Sequence, residues 1–128
     1  MKERMKKLLA AAMVLVLLTA VLAGCGGGGE TETVKIGLVQ LMEHPSLNTI
    51  RESILDGLEE KGFKDGDNIS IDYQNGQNDM SVIKTIVQTF VANEYDMIIA
   101  IATPAAQAAL GETSEIPIIF AAVTDPVD

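Results

Sequence analysis

A doubly wound α/β layer built on a parallel sheet is the fold class this sequence predicts, and three observations predict it. From Val34 onward, apolar strand-like runs alternate with amphipathic segments of helical period, the pattern of successive βαβ units. The connections between them are short, so each crossover is right-handed and the strands run parallel. One run, Met97 to Ala102, shows no polar alternation, as a central strand covered on both faces requires.

The elements follow in order. Val34 to Leu41, VKIGLVQL, reads as the first strand, with Gly37 admitting a close neighbour. Leu47 to Lys61 reads as the first helix, ended by Gly62. Leu47, Ile50, Ile54, Leu55 and Leu58 recur at three- and four-residue steps and share a face, while Arg51, Glu52, Glu59 and Glu60 take the other. Asn68 to Tyr73 alternates as a strand near a sheet edge does, and Gln74 to Asp79 is a polar turn. Ser81 is the expected cap of a second helix, whose buried face carries Ile83, Ile86, Val87, Phe90 and Val91 up to Asn93. A strand at Asp96 to Ala102, a helix from Pro104 to about Leu110 and a strand at Pro117 to Ala121 follow.

Residues 1–24 read as a lipoprotein signal peptide outside this fold. Lys2, Arg4, Lys6 and Lys7 form its basic region, Leu8 to Val21 its apolar region, and Leu22-Ala23-Gly24-Cys25 a small-residue cleavage site holding the only cysteine. The apolar region is shorter than the about 20 residues a membrane span needs. LAGC resembles a bacterial lipobox, which implies cleavage before Cys25, lipid on that cysteine, and anchoring to the outer, extracytoplasmic face of the bacterial cell membrane. Residues 25–33, with the run Gly26 to Gly29, then form a flexible tether. The run is no phosphate loop, because it follows no strand and precedes no helix. Four of the nine basic residues and one of the eighteen acidic ones leave with the leader, so 5 basic face 17 acidic side chains, a formal charge of −12. That balance argues against nucleic acid and against docking by charge on an anionic bilayer. With no cysteine left to pair, the fold rests on its core alone.

In doubly wound sheets, ligands collect outside the carboxyl ends of the strands, where the strand order reverses. The polar residues expected there are Gln40, Glu43 and His44 after the first strand, Thr103 and Gln107 after the third, and Thr124 and Asp125 after the fourth. In MIIAIATPAAQ, Thr103 is the expected N-cap and Pro104 the first helical residue, leaving the N–H groups of Ala105 and Ala106 as an anion site at the positive end of the helix. A carboxylate held at Thr103 and those N–H groups, with Asp125 or Glu43 facing an ammonium, makes a site for a zwitterion such as an amino acid. Catalysis finds less support. His44 is the only histidine and stands before Pro45, which holds it extended and out of any helix. There is no G-x-S-x-G, no P-loop, and no second histidine for a metal. QLMEHPSL also lacks the glycines of a dinucleotide site, so neither a cofactor nor a metal is expected.

KIGLVQLMEHPSLNTIRESILDGLEEKGFKDGDNISIDYQNGQND, IIAIATPAAQAAL and IPIIFAAVTDPVD, behind a lipobox, together resemble the substrate-binding lipoproteins of bacterial ABC importers, in the branch linked to tryptophan and other aromatic amino acids. The resemblance implies a periplasmic-binding-protein-like type I lobe, one of two that close on a ligand and do no chemistry on it. It implies an amino acid ligand, an ABC permease with its ATPase, and the membrane, reached through the lipid anchor, as partners. Carried over by position, the pocket-edge loops are Gln40 to His44, Thr103 to Ala105, and Thr124 with Asp125. Members of the family continue for roughly another 100 to 200 residues, so residues 34–128 read as the amino-terminal part of the first lobe, without the hinge and second lobe. Alone, such a piece leaves a bare sheet edge and is expected to be marginally stable and to bind ligand weakly. A ligand-sensing lipoprotein or receptor ectodomain with the same lobe is the alternative, and a permease and ATPase encoded alongside separate the two.

Overall fold

A computed structural model of the chain describes Met1 and residues 33–124; residues 2–24 of the expected signal peptide, Cys25, residues 26–32 of the tether and Asp125 lie outside the described residues. Among the described residues four strands and three helices alternate: β1 (Val34–Gln40), α1 (Pro45–Glu60), β2 (Ile69–Asn75), α2 (Met80–Ala92), β3 (Met97–Ile101), α3 (Thr103–Glu112) and β4 (Ile118–Ala121). The strands form one sheet in the order β2-β1-β3-β4, and every pair is parallel. This is the expected doubly wound layer. β3 is a central strand, and the alternating strand β2 lies at an edge.

The pleat divides the core into two layers. Ile36, Leu38, Ile69, Ile99 and Ile101 face α1, where Leu47, Ile50, Ile54, Leu55 and Leu58 pack against them. Val39, Ile98 and Ala100 face the other way and meet Ile83, Val87 and Phe90 of α2 and Ala105, Ala106 and Ala109 of α3. The small α3 residues let that helix lie close to the sheet. Gly37 serves the close approach expected of it, because a Cβ there would lie 2.5 Å from a Phe90 ring carbon. At the other sheet edge β4 pairs, among the described residues, with β3 alone, and Ile119 and Phe120 are exposed there.

Helix ends depart from the sequence reading in specific ways. α1 starts at Pro45, two residues earlier than expected, because His44 caps it: the imidazole Nδ1 accepts the Ser46 N–H at 3.3 Å. His44 is extended (φ −153°, ψ 137°), as a residue before proline should be. α2 is capped by Asp79 and not by Ser81; the Asp79 Oδ1 accepts from Ser81 N at 2.7 Å and Val82 N at 3.4 Å. A carboxylate at this position also meets the positive end of the helix, which a serine hydroxyl does not exploit. β2 runs on to Asn75, two residues into the expected turn, because Gln74 and Asn75 stay paired with Val39 and Gln40.

Candidate functional site

From β1 the chain passes through α1 to β2 on one side, then through α2 across to β3 on the other. The strand order therefore reverses between β1 and β3, the place where doubly wound folds form their ligand crevice between the loops leaving the strands' carboxyl ends. Gln40 is in register with both Asn75 and Ile101, and the Leu41 N–H donates to Ile101 O at 3.2 Å. The loops after β1 and β3 thus begin at the same level, side by side.

The start of α3 differs from the expected capped helix. Thr103 is inside the helix and Ala102 is the cap, at φ 83° and ψ 153° with no side-chain cap bond. That backbone region belongs almost entirely to glycine, and an alanine there stores about 1–3 kcal/mol of strain. The Thr103 hydroxyl is used elsewhere: its Oγ1 accepts the Thr124 N–H at 3.1 Å, tying the loop after β4 to the start of α3. The Ala106 N–H closes the first helical turn onto Ala102 O at 3.1 Å, so Ala106 does not present its N–H to the crevice. Helix geometry leaves the N–H groups of Thr103 and Ala105 outside the intrahelical ladder, and Ala105 itself is fully buried.

A clasp of polar side chains organises the loop after β1. Gln40 is completely buried; its Nε2 donates to Met42 O and to Asn48 Oδ1, each at 2.7 Å. Its Oε1 accepts from an Arg51 terminal nitrogen at 3.3 Å. The same nitrogen pairs with Glu43 Oε1 at 3.3 Å, and that oxygen also accepts from the Tyr73 hydroxyl at 2.5 Å and Asn75 Nδ2 at 3.3 Å. The guanidinium lies 4.4 Å from the centre of the Tyr73 ring, a cation–π stack. Gln40 thus ends β1 with Glu43 and His44 in the loop that follows it, while Thr103 and Thr124 are joined to each other at the start of α3. Gln107 is exposed on α3, outside both groups. The clasp residues Asn48, Arg51, Tyr73 and Asn75 escaped the sequence reading, which put Arg51 on the solvent face of α1; its side chain is 17% exposed.

The clasp shifts the titration of two of its members, Glu43 and Tyr73. The Tyr73 hydroxyl bond lowers the Glu43 carboxyl below its ordinary range, the Asn48 amide and the Arg51 charge adding to this against desolvation. Burial first, then the bond to Glu43, pushes the Tyr73 hydroxyl up, so it stays a donor at neutral pH. Because the folded-state value of Glu43 is depressed, its contribution to stability is present above the unfolded-state value and is lost as pH falls through the folded one. Tyr73→Phe removes the largest cause. The Glu43 titration midpoint, followed by carboxyl-carbon NMR, should then move up toward that of an ordinary glutamate; an unchanged midpoint would show that the hydroxyl bond does not control it.

Among known proteins, residues 35–128 match the family described as ABC transporter substrate binding protein. This chain belongs to that family. It is 46% identical over 135 residues to the Tyrosine-binding protein of Clostridioides difficile (strain R20291), an alignment spanning 96% of this chain and 39% of that protein. A substrate binding protein with adhesive properties from Clostridium difficile, solved ligand-free and open, is 50% identical with a TM-score of 0.72, over 74% of this chain and 32% of its own. An ABC domain from Streptococcus pneumonia in complex with L-Trp is 45% identical with a TM-score of 0.71, over 75% of this chain and 32% of its own. The chain therefore spans about two fifths of the length of the curated relative. ABC substrate-binding proteins are extracytoplasmic, and the two clostridial relatives are described as binding proteins.

Proposed function

We propose that this chain is the amino-terminal part of the first lobe of an ABC importer's solute-binding lipoprotein, which captures an aromatic amino acid between two lobes and delivers it to the permease and its ATPase. The reading rests on one observation above all. The chain matches substrate-binding relatives across its β1 and β3 loops, one of them a tyrosine-binding protein and another holding L-Trp. In this reading the ligand carboxylate meets the Thr103–Ala105 turn at the positive end of α3, and the ammonium meets Glu43. Thr124, tied to Thr103, sets the rim, and Asp125 is the other candidate acceptor for the ammonium. Gln40 and His44 support the loop that carries Glu43. No residue acts as a catalyst, and neither cofactor nor metal takes part. Cys25 carries the lipid, and residues 25–33 tether the lobe to the outer face of the membrane. Closure of the second lobe over the first presents a changed surface to the permease.

A thermal-shift panel on the full-length protein tests this. A ligand at about 100 times its dissociation constant adds about 2.7 kcal/mol to the folded state, a rise of several degrees. Tyrosine, tryptophan or phenylalanine should produce it where aspartate and leucine do not. A flat response to all three aromatic amino acids would contradict the proposal.

A further inference from the structure

We infer that Arg51 is a positioning residue of the ligand site, acting through Glu43 by holding its carboxylate, in the loop after β1, beside Tyr73 and Asn75. The inference rests on the reading of Glu43 as the ammonium acceptor given above. Three observations carry it. The Arg51 side chain is 17% exposed while that of Glu43 is 53% exposed, so the guanidinium faces inward and the carboxylate outward. One guanidinium nitrogen bridges Gln40 Oε1 and Glu43 Oε1, both at 3.3 Å, joining the exposed carboxylate to a side chain with no solvent exposure. The guanidinium carbon lies over the Tyr73 ring, 4.4 Å from its centre, and the Tyr73 hydroxyl donates to the same Glu43 oxygen. Arginine suits this arrangement because a planar, delocalised cation can stack and hydrogen-bond at once, and lysine cannot. The buried Gln40 is the fixed end: both its amide hydrogens are committed to Met42 O and Asn48 Oδ1, which leaves its oxygen facing Arg51.

Charge and position make opposite claims here. By charge alone, Arg51 competes with a ligand ammonium for Glu43, and its removal would tighten binding. As a positioning residue, its removal frees the Glu43 side chain and weakens binding of ligands that carry the ammonium. The test compares L-tyrosine with 3-(4-hydroxyphenyl)propanoate, which lacks only the ammonium, by titration calorimetry on the full-length protein and its Arg51→Met and Arg51→Lys variants. Arg51→Met is expected to weaken L-tyrosine about tenfold while leaving the des-amino analogue unchanged; Arg51→Lys, without the stack, should recover only part of the loss. Tighter or unchanged tyrosine binding in Arg51→Met overturns the inference. So does an equal loss for both ligands, which reports a general structural role. Wild-type protein that binds both ligands equally, or neither, instead removes the reading of Glu43 beneath it.

Discussion

Replacing Phe90 by alanine is expected to destabilise the folded chain by about 3–5 kcal/mol, the range for deleting a large buried aromatic side chain. Phe90 is 1% exposed, the largest fully buried side chain in the layer between the sheet and α2. Its ring lies 4.9 Å from that of Tyr95 in a tilted arrangement, and it fills the space over Gly37. The loss should spread to both partners. Tyr95 is held at its other end by a 2.9 Å bond from its hydroxyl to Asp72 Oδ2, so it cannot collapse into the cavity without breaking that bond. Urea unfolding measures the change as a lower midpoint at unchanged slope. A loss under about 1 kcal/mol would mean that the space over Gly37 closes without Phe90, against close packing of this layer.

The second large effect comes from the opposite side of the same contact. Gly37→Val places a Cβ 2.5–2.7 Å from three Phe90 ring carbons, a separation that forces the ring or the strand to move. Overpacking of this kind costs about 1–3 kcal/mol and occasionally more. The steric account makes a further demand. In the double variant Gly37→Val with Phe90→Ala, the valine methyls enter the space the ring vacates, so the two penalties should sum to more than the measured loss. Additive losses would place the cost of Gly37→Val in the strand backbone.

Those packing relations were legible in the sequence because they follow periodicity. The α1 and α2 stripes and the unbroken apolar run of β3 each gave their buried faces correctly, and a lone glycine in an apolar strand marked the close approach. What remained hidden depends on residues distant in the chain. Thr103 before Pro104 has the local form of an N-cap, yet its hydroxyl is taken by the Thr124 N–H, 21 residues on. The cap falls to Ala102 in a strained conformation that no alanine signals. Asp79 and Ser81 are both good caps two positions apart, and it is Asp79 that accepts the Ser81 and Val82 N–H groups.

Arg51 is the instructive miss. It stands four residues after Leu47 and four before Leu55, on the border of the apolar stripe, and a helical count assigns a charge at a border to solvent. Tyr73 supplies the missing half: it shares the strand face of Ile69 and Ile71, both in the layer that packs α1. An aromatic residue there and an arginine on the edge of the covering helix meet as a stack. A period-two reading of β2 laid beside the period-3.6 reading of α1 contains the signal, but the register between strand and helix does not lie in either alone.

The most direct test is a crystal structure of the full-length protein with L-tyrosine bound. The ligand should lie in the crevice between the loops after β1 and β3. Its carboxylate should lie within about 3.2 Å of the N–H groups of the Thr103–Ala105 turn, and its ammonium should contact Glu43, with the Arg51–Tyr73 stack intact. A tyrosine seated elsewhere, or one in this crevice with the carboxylate turned away from α3 and no contact to Glu43, would contradict it.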